Sequence, residues 1–373
     1  SNGETVSGSD GAAPVLLSAT YKDTNGNGTV NRIDAVYSED ITSSTFESGD
    51  WTFPANPASL SVGSGAFSGS TVQITVTGAP ANTTVLGTTT VKYTNQGTSN
   101  SITDGSNSSA TSSVITLSDE TVPVLLSATY KDTNGDGTVN RIDAVYSEDI
   151  TSSTFESGDW TFPANPASLS VGSGAFSGST VQITVTGAPA NTTVLGTTTV
   201  KYTNQGTSNS ITDGSNSSAT SSVITLSDEA KPVIVSAVTG DNNSDGTVDR
   251  LTLTFSESVV ITDGGSDNDI TLAASTGSAS ITAGSYGATA STLVYTISGA
   301  TAGNTSLTID PTYAVSGAGD ITDPSNNEMS NGETVSGSDG AAPVLLSATY
   351  KDTNGNGTVN RIDAVYSEDI TSS

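Results

Sequence analysis

Cysteine and histidine are absent from the 373 residues, methionine occurs once and tryptophan twice. Without a thiol or an imidazole there is no Ser–His–Asp triad, no cysteine nucleophile and no ordinary zinc or copper site. Basic residues are scarce: ten Lys and Arg face 38 Asp and Glu, a formal net charge of −28. Such a surface repels phosphate backbones and anionic bilayers, so neither nucleic acid nor membrane insertion is expected of this segment. No apolar run approaches the ~18 residues that span a bilayer, and no signal-peptide pattern is visible. The opening residues, Ser1 to Asp10, read as mid-domain sequence, which predicts a segment of something longer.

The residues that are plentiful are Ser, Thr, Gly, Asn, Asp and Val, while the helix formers Glu, Lys, Leu and Met are thin. Strands and tight turns use the first group and helices the second. The apolar residues fall in short regular runs, which predicts folded β-structure rather than disorder.

The chain repeats itself. PVLLSATYKDTNG begins at Pro14, Pro123 and Pro343, and a diverged form, PVIVSAVTGDNNS, begins at Pro232. These starts lie 109, 109 and 111 residues apart. Residues 14–120 and 123–229 match except that Asn27 becomes Asp136, and residues 1–44 return unchanged as 330–373. The organisation read from this is the end of a preceding repeat (1–13), repeat 1 (14–122), repeat 2 (123–231), a diverged repeat 3 (232–342) and the start of a further one (343–373). Recent tandem duplication suits a spacer, fibre or multivalent binder, which gains length or avidity from copies, better than it suits an enzyme.

Within a repeat, Val15–Tyr21, Val30–Tyr37, Gly49–Phe53, Ser59–Ala66, the alternating Val72, Ile74 and Val76, Val91 with Tyr93, and Val114–Leu117 read as strands. About seven strands in ~110 residues predict an all-β fold, tandem immunoglobulin-like β-sandwiches in an elongated array. Trp51 and Trp160 are expected in the core rather than on a sugar-stacking surface, because Ile270 takes their place in repeat 3.

Four features recur in fixed order: the Pro-started strand, the Asp/Asn/Gly loop, a strand ending Tyr37-Ser38-Glu39 or Phe255-Ser256-Glu257, and an Ile-Thr-Asp-x-x-Asn turn at 102–107 and 321–326. Together they resemble the bacterial Ig-like repeats of S-layer proteins and large calcium-dependent surface adhesins. The resemblance implies a non-enzymatic role outside the cell or on its surface.

Two kinds of calcium site are expected. Asp132-Thr-Asn134-Gly-Asp136-Gly137 matches the opening of an EF-hand loop, with oxygen ligands at alternate positions and Gly for the sharp turn. Asp23/Asn25/Asn27, Asp241/Asn243/Asp245 and Asp352/Asn354/Asn356 repeat the pattern. The twelfth position is Asp34 or Asp143 but Thr252 in repeat 3, and it lies in a strand, so an EF-hand fold is rejected in favour of a calcium hairpin. The competing reading is an Asx turn without an ion. The second expectation places cations at the junctions, where the loop of one repeat meets the linker and the next repeat. The first junction would combine Asp23, Asn25 and Asn27 with Asp119, Glu120, Glu148 and Asp213. The second would combine Asp132, Asn134 and Asp136 with Asp228, Glu229, Glu257 and Asp323.

Lys22 and Lys92 are not expected to form isopeptide bonds, since edge lysines commonly guard strands. The functional expectation is a structural segment of a prokaryotic extracellular fibre or adhesin stalk, stiffened by Ca2+. Its partners would be like domains or subunits arranged head to tail, with any surface or glycan ligand elsewhere in the full protein. The alternatives are an S-layer or biofilm-matrix protein and a carbohydrate-binding array.

Overall fold

The computed structural model describes residues 9–80, 86–97, 101–152, 154–189, 195–206, 210–261, 269–284, 290–314 and 321–371. Residues 1–8 of the expected preceding repeat therefore lie outside the described residues. The fold is all-β. Repeat 1 contains β1 (Leu16–Lys22), β2 (Thr29–Tyr37), β3 (Trp51–Thr52), β4 (Ser61–Ser68), β5 (Thr71–Pro80), β6 (Thr90–Tyr93), β7 (Ile115–Thr116) and β8 (Ser118–Asp119). One sheet runs β4-β5-β2-β1-β8 and the other β3-β6-β7. Leaving β8 aside, this order of four strands over three is the one expected of a constant-type immunoglobulin sandwich.

The period-2 pattern sets the register. Ile33 on β2 faces Tyr21 on β1 and Ile74 on β5, and all three are buried. Ala35, Tyr37, Val72 and Val76 extend the same inner face. From the second sheet come Trp51, Val91 and Tyr93, which complete a single core. Trp51 lies against Tyr93, ring centres 5.3 Å apart, and stacks on Phe46 at 6.4 Å. It is buried, as its replacement by Ile270 suggests.

Two elements differ from the sequence reading. The stretch expected as one strand over 49–53 opens with a 3-10 turn, Ser48–Asp50, closed by the Asp50 N–H on the Glu47 carbonyl, and only Trp51–Thr52 is extended. The last strand divides around the buried Leu117. β7 pairs with β6, and β8 crosses to run parallel with β1, Thr20 opposite Ser118 and Tyr21 opposite Asp119. An alternation count cannot register a strand that changes sheets after two residues.

Repeat 2 reproduces this arrangement with β9 (Leu125–Lys131), β10 (Thr138–Tyr146), β11 (Trp160–Thr161), β12 (Ser170–Ser177), β13 (Thr180–Pro189), β14 (Thr199–Tyr202), β15 (Ile224–Thr225) and β16 (Ser227–Asp228). Repeat 3 has β17 (Ile234–Gly240), β18 (Arg250–Ile261), β19 (Ile270–Ala274), β20 (Ser280–Gly284), β21 (Ala290–Ser298), β22 (Ile309–Tyr313), β23 (Ile321–Thr322) and β24 (Gly337–Ser338). Its main sheet keeps the order β20-β21-β18-β17-β24, and β19 pairs with β22. The extra length of β18 carries it onto β23, Val260 opposite Thr322. Each repeat encloses its own apolar cluster. Residues 345–366 form one antiparallel hairpin, β25 (Leu345–Lys351) with β26 (Arg361–Tyr366).

Candidate metal centre

The strand that closes one repeat delivers an acid to the next. Asp119 ends β8, Glu148 follows β10 in Tyr146-Ser147-Glu148, and Asp213 opens the turn after Ile211. Each offers a carboxylate oxygen within 4.8 Å of the others, and Glu148 and Asp213 are buried. The equivalent residues Asp228, Glu257 and Asp323 form the same group between repeats 2 and 3. A third group, Asp10, Glu39 and Asp104, stands at the entry to repeat 1. The sequence reading missed this trio, although stepping back 109 residues from Asp119, Glu148 and Asp213 lands on it.

Local turns aim these acids. Asp213 Oδ1 accepts the N–H of Ser215 at 2.6 Å and of Asn216 at 2.7 Å. Asp323 repeats this with Ser325 and Asn327, both at 2.8 Å. Asp119 Oδ1 accepts from the Thr121 N–H at 2.8 Å and its hydroxyl at 2.6 Å, and that hydroxyl also lies 3.4 Å from Glu148 Oε1. At the second junction Asn327 reaches back to the Asp228 carbonyl at 3.3 Å, and Ser325 to Asp228 Oδ2 at 3.4 Å. Linker and turn are thus tied together before any ion is considered.

Like charges held this way repel. Two carboxylates ~4 Å apart near a protein surface cost about 4 kcal/mol at an effective dielectric of ~20. In the group at the entry to repeat 1, burial, then the neighbouring Asp10 and Asp104, pushes the Glu39 carboxyl above its ordinary value. Asp104 is held below its own, first by the Asn107 N–H and then by that of Ser106. An all-oxygen, all-anionic set with no nitrogen or sulfur suits a hard divalent cation such as Ca2+ or Mg2+.

The other expected ligands are placed differently. Asp23 Oδ1 accepts from the N–H groups of Asn25 and Gly26, and Oδ2 from Gly28 at 2.6 Å. Asn25 Oδ1 caps Asn27, and Asn27 Oδ1 caps Thr29. The loops at Asp132, Asp241 and Asp352 are closed in the same way, with Gly137, Gly246 and Gly357 donating to the leading Asp. Asn134 and Asn243 donate to Asp136 and Asp245, and Asn354 and Asn356 sit in the last loop. The Asn134 amide is the main reason that Asp136 titrates below its usual value. Among the described residues no loop contributes to a group of three acids. Their backbone donors account for the geometry of an Asx turn.

The linker glutamates also turn away. Lys22 Nζ lies 2.6 Å from Glu120 and 3.0 Å from Asp34, and Lys131 lies 2.7 Å from Glu229 and 3.0 Å from Asp143. Bonding to Glu120, then Asp34, raises the Lys22 pKa. That stabilises the ammonium and disfavours the neutral amine an isopeptide bond would need. Asp34 and Asp143, the twelfth positions of the loops, are therefore engaged in ion pairs on β2 and β10.

Among the described residues no helix is long and apolar enough to cross a membrane. No protein-family model matches the chain, and no curated protein does. Among solved structures, the crystal structure of the S-layer protein rSbsC(31-844) is similar over 95% of this chain and 63% of its own length, at 13% identity and a TM-score of 0.18. At that score the likeness carries no argument.

Proposed function

We propose that this chain is a non-catalytic structural segment of a prokaryotic surface or extracellular protein, a stalk or fibre whose successive sandwiches are locked by Ca2+. The observation behind the reading is the recurrence of one three-carboxylate group at the entry to repeat 1 and at both following junctions. Each group draws one acid from the linker and two from the repeat that follows it. A cation seated there would relieve the repulsion and fasten the linker to that repeat. The leading loops serve as packed hairpin tips.

A carbohydrate-binding array is the weaker reading, because the two tryptophans that would stack on sugars are buried in cores. Lateral tiling in an S-layer or matrix would use the same junctions and differ only in contacts between chains. The deciding experiment is a thermal melt in excess calcium and in chelator. A ligand bound only to the native state at ~100 times its Kd adds about 2.7 kcal/mol per site. Coincident melts in the two buffers would remove calcium from the account.

A further inference from the structure

Repeat 3 keeps an arginine whose acidic partner it has lost. In repeat 2, Arg141 lies against both oxygens of Asp143, Nε at 2.8 Å and Nη2 at 3.0 Å, and Lys131 shares that carboxylate. Repeat 1 holds Arg32 on Asp34 in the same way, at 2.7 and 3.0 Å. Repeat 3 has Arg250 at this position, but Thr252, Gly240 and Gly340 replace the aspartate, the lysine and the linker glutamate. Arg250 is exposed, and among the described residues it makes no ion pair. Its Nη1 reaches only the Asn242 amide oxygen, at 3.5 Å.

The strand register shapes the space left behind. Arg250 sits between Gly240 on β17 and Thr296 on β21, and Thr252 sits between Val238 and Val294. A Cβ on Gly240 would come 2.8 Å from Arg250 Nη2 and 2.9 Å from Nε, so the bare glycine lets the guanidinium lie on the β17 backbone. Beside it is an open pocket of about 200 Å3 lined by Asn242, Asp249, Arg250, Val294 and Thr296. Asp249 is the one acid of this lining. Its Oδ1 accepts the Asn242 N–H at 2.7 Å, the bond that Asn140 Oδ1 makes with the Thr133 N–H in repeat 2.

We infer that this pocket binds a carboxylate, which takes against Arg250 the place that Asp143 takes against Arg141. The planar guanidinium offers two parallel donors to the two oxygens of such a group. The Asn242 amide and the Thr296 hydroxyl add hydrogen-bonding capacity at the rim, and Val294 gives the carbon side of the acid an apolar wall. Asp249 sets the choice of anion. Its charge offsets that of Arg250, so a sulfate or phosphate dianion is repelled more than a monocarboxylate is. A free small acid and an acidic side chain of a second copy both supply the group, and each copy carries 38 Asp and Glu.

The scarcity of arginine supplies the probe. The full chain has four, at 32, 141, 250 and 361, so isotope-labelled arginine gives four Nε–H signals in an NMR spectrum, and Arg250→Lys identifies the one that matters. Sodium acetate should move the Arg250 signal saturably and leave the paired Arg32 and Arg141 in place. Sodium chloride at equal ionic strength should not move it, and sulfate should need roughly ten times the concentration. An Arg250 signal that moves on concentrating the protein without added acid, together with larger species in sedimentation, identifies a second copy as the source. Thr252→Asp rebuilds the internal pair that repeats 1 and 2 already fold with, and it should abolish either response. Absence of both responses, chloride or sulfate acting as well as acetate, or a response that survives Thr252→Asp overturns the proposal.

Discussion

Gly28 and Ser147 belong to different repeats, yet a Cβ built on Gly28 would come 2.7 Å from the Ser147 Cβ and 3.0 Å from Leu126. The hairpin tip of one sandwich is therefore packed on the first two strands of the next. Gly137 stands in the same relation to Ser256 and Val233, at 2.8 and 2.9 Å.

Gly137→Ala should weaken this seat for two reasons. Its φ is +80°, where an L side chain costs about 1–2 kcal/mol, and the new methyl collides with a neighbouring repeat. Repeats 2 and 3 should then melt with less coupling, read by calorimetry as separation of their transitions. Gly135→Ala has a comparable φ with no neighbour within 4 Å, so it controls for the backbone cost alone.

Glu148→Gln removes one acid from the first junction. Its expected effect is to leave chelator-treated protein as stable as the parent or slightly more so, because a repulsion is gone. The calcium-dependent rise in the melting midpoint should shrink. Titration calorimetry should count one site fewer, and an unchanged count would show that the buried glutamate is no ligand.

The buried tyrosines predict alkaline behaviour. Burial pushes Tyr37 and Tyr146 well above the ordinary phenol value of about 10. The native state then keeps protons that the unfolded chain has released, so stability falls as pH rises past ~10. Ser109 is near enough to favour the Tyr37 phenolate slightly but does not hydrogen-bond its buried hydroxyl. Tyr37→Phe with Tyr146→Phe should change neutral-pH stability by less than ~1 kcal/mol and move alkaline unfolding to higher pH. Repeat 3 already carries Phe255 at this place.

Lys131, Asp143 and Glu229 should behave as a unit. In repeat 3 all three change together, to Gly240, Thr252 and Gly340. Asp143→Thr alone leaves Lys131 and Arg141 side by side without their shared carboxylate, at a cost of about 1–2 kcal/mol for partly exposed charges. With Lys131→Met already present the same change should cost less, and a double-mutant cycle from urea melts measures the difference. Strict additivity would refute the coupling.

Much of this architecture was legible because the repeat supplies its own comparison. The alternating Val72, Ile74 and Val76 marked an inner face, and Ile270 against Trp51 marked the core. The junction acids Asp119, Glu148 and Asp213 followed from reading which loops share an end of a sandwich. The roles of Asp23 and Glu120 were not legible. A one-letter sequence shows that an acid is near a junction but not what its oxygens accept: Asp23 closes on Gly28 within its own turn, and Glu120 lies beside Lys22. The split of the last strand was hidden for a similar reason, since two-residue strands carry no period.

The parallel pairing of β8 with β1 also bears on force. These are the last and first strands of one repeat, lying side by side with the same direction. Tension applied at the two ends would pull them past each other along their length, loading their hydrogen bonds together in shear instead of peeling them one at a time. Stretching single chains should therefore give one abrupt rupture per sandwich, and a smooth, low-force extension would mean that the paired end strands bear no tension.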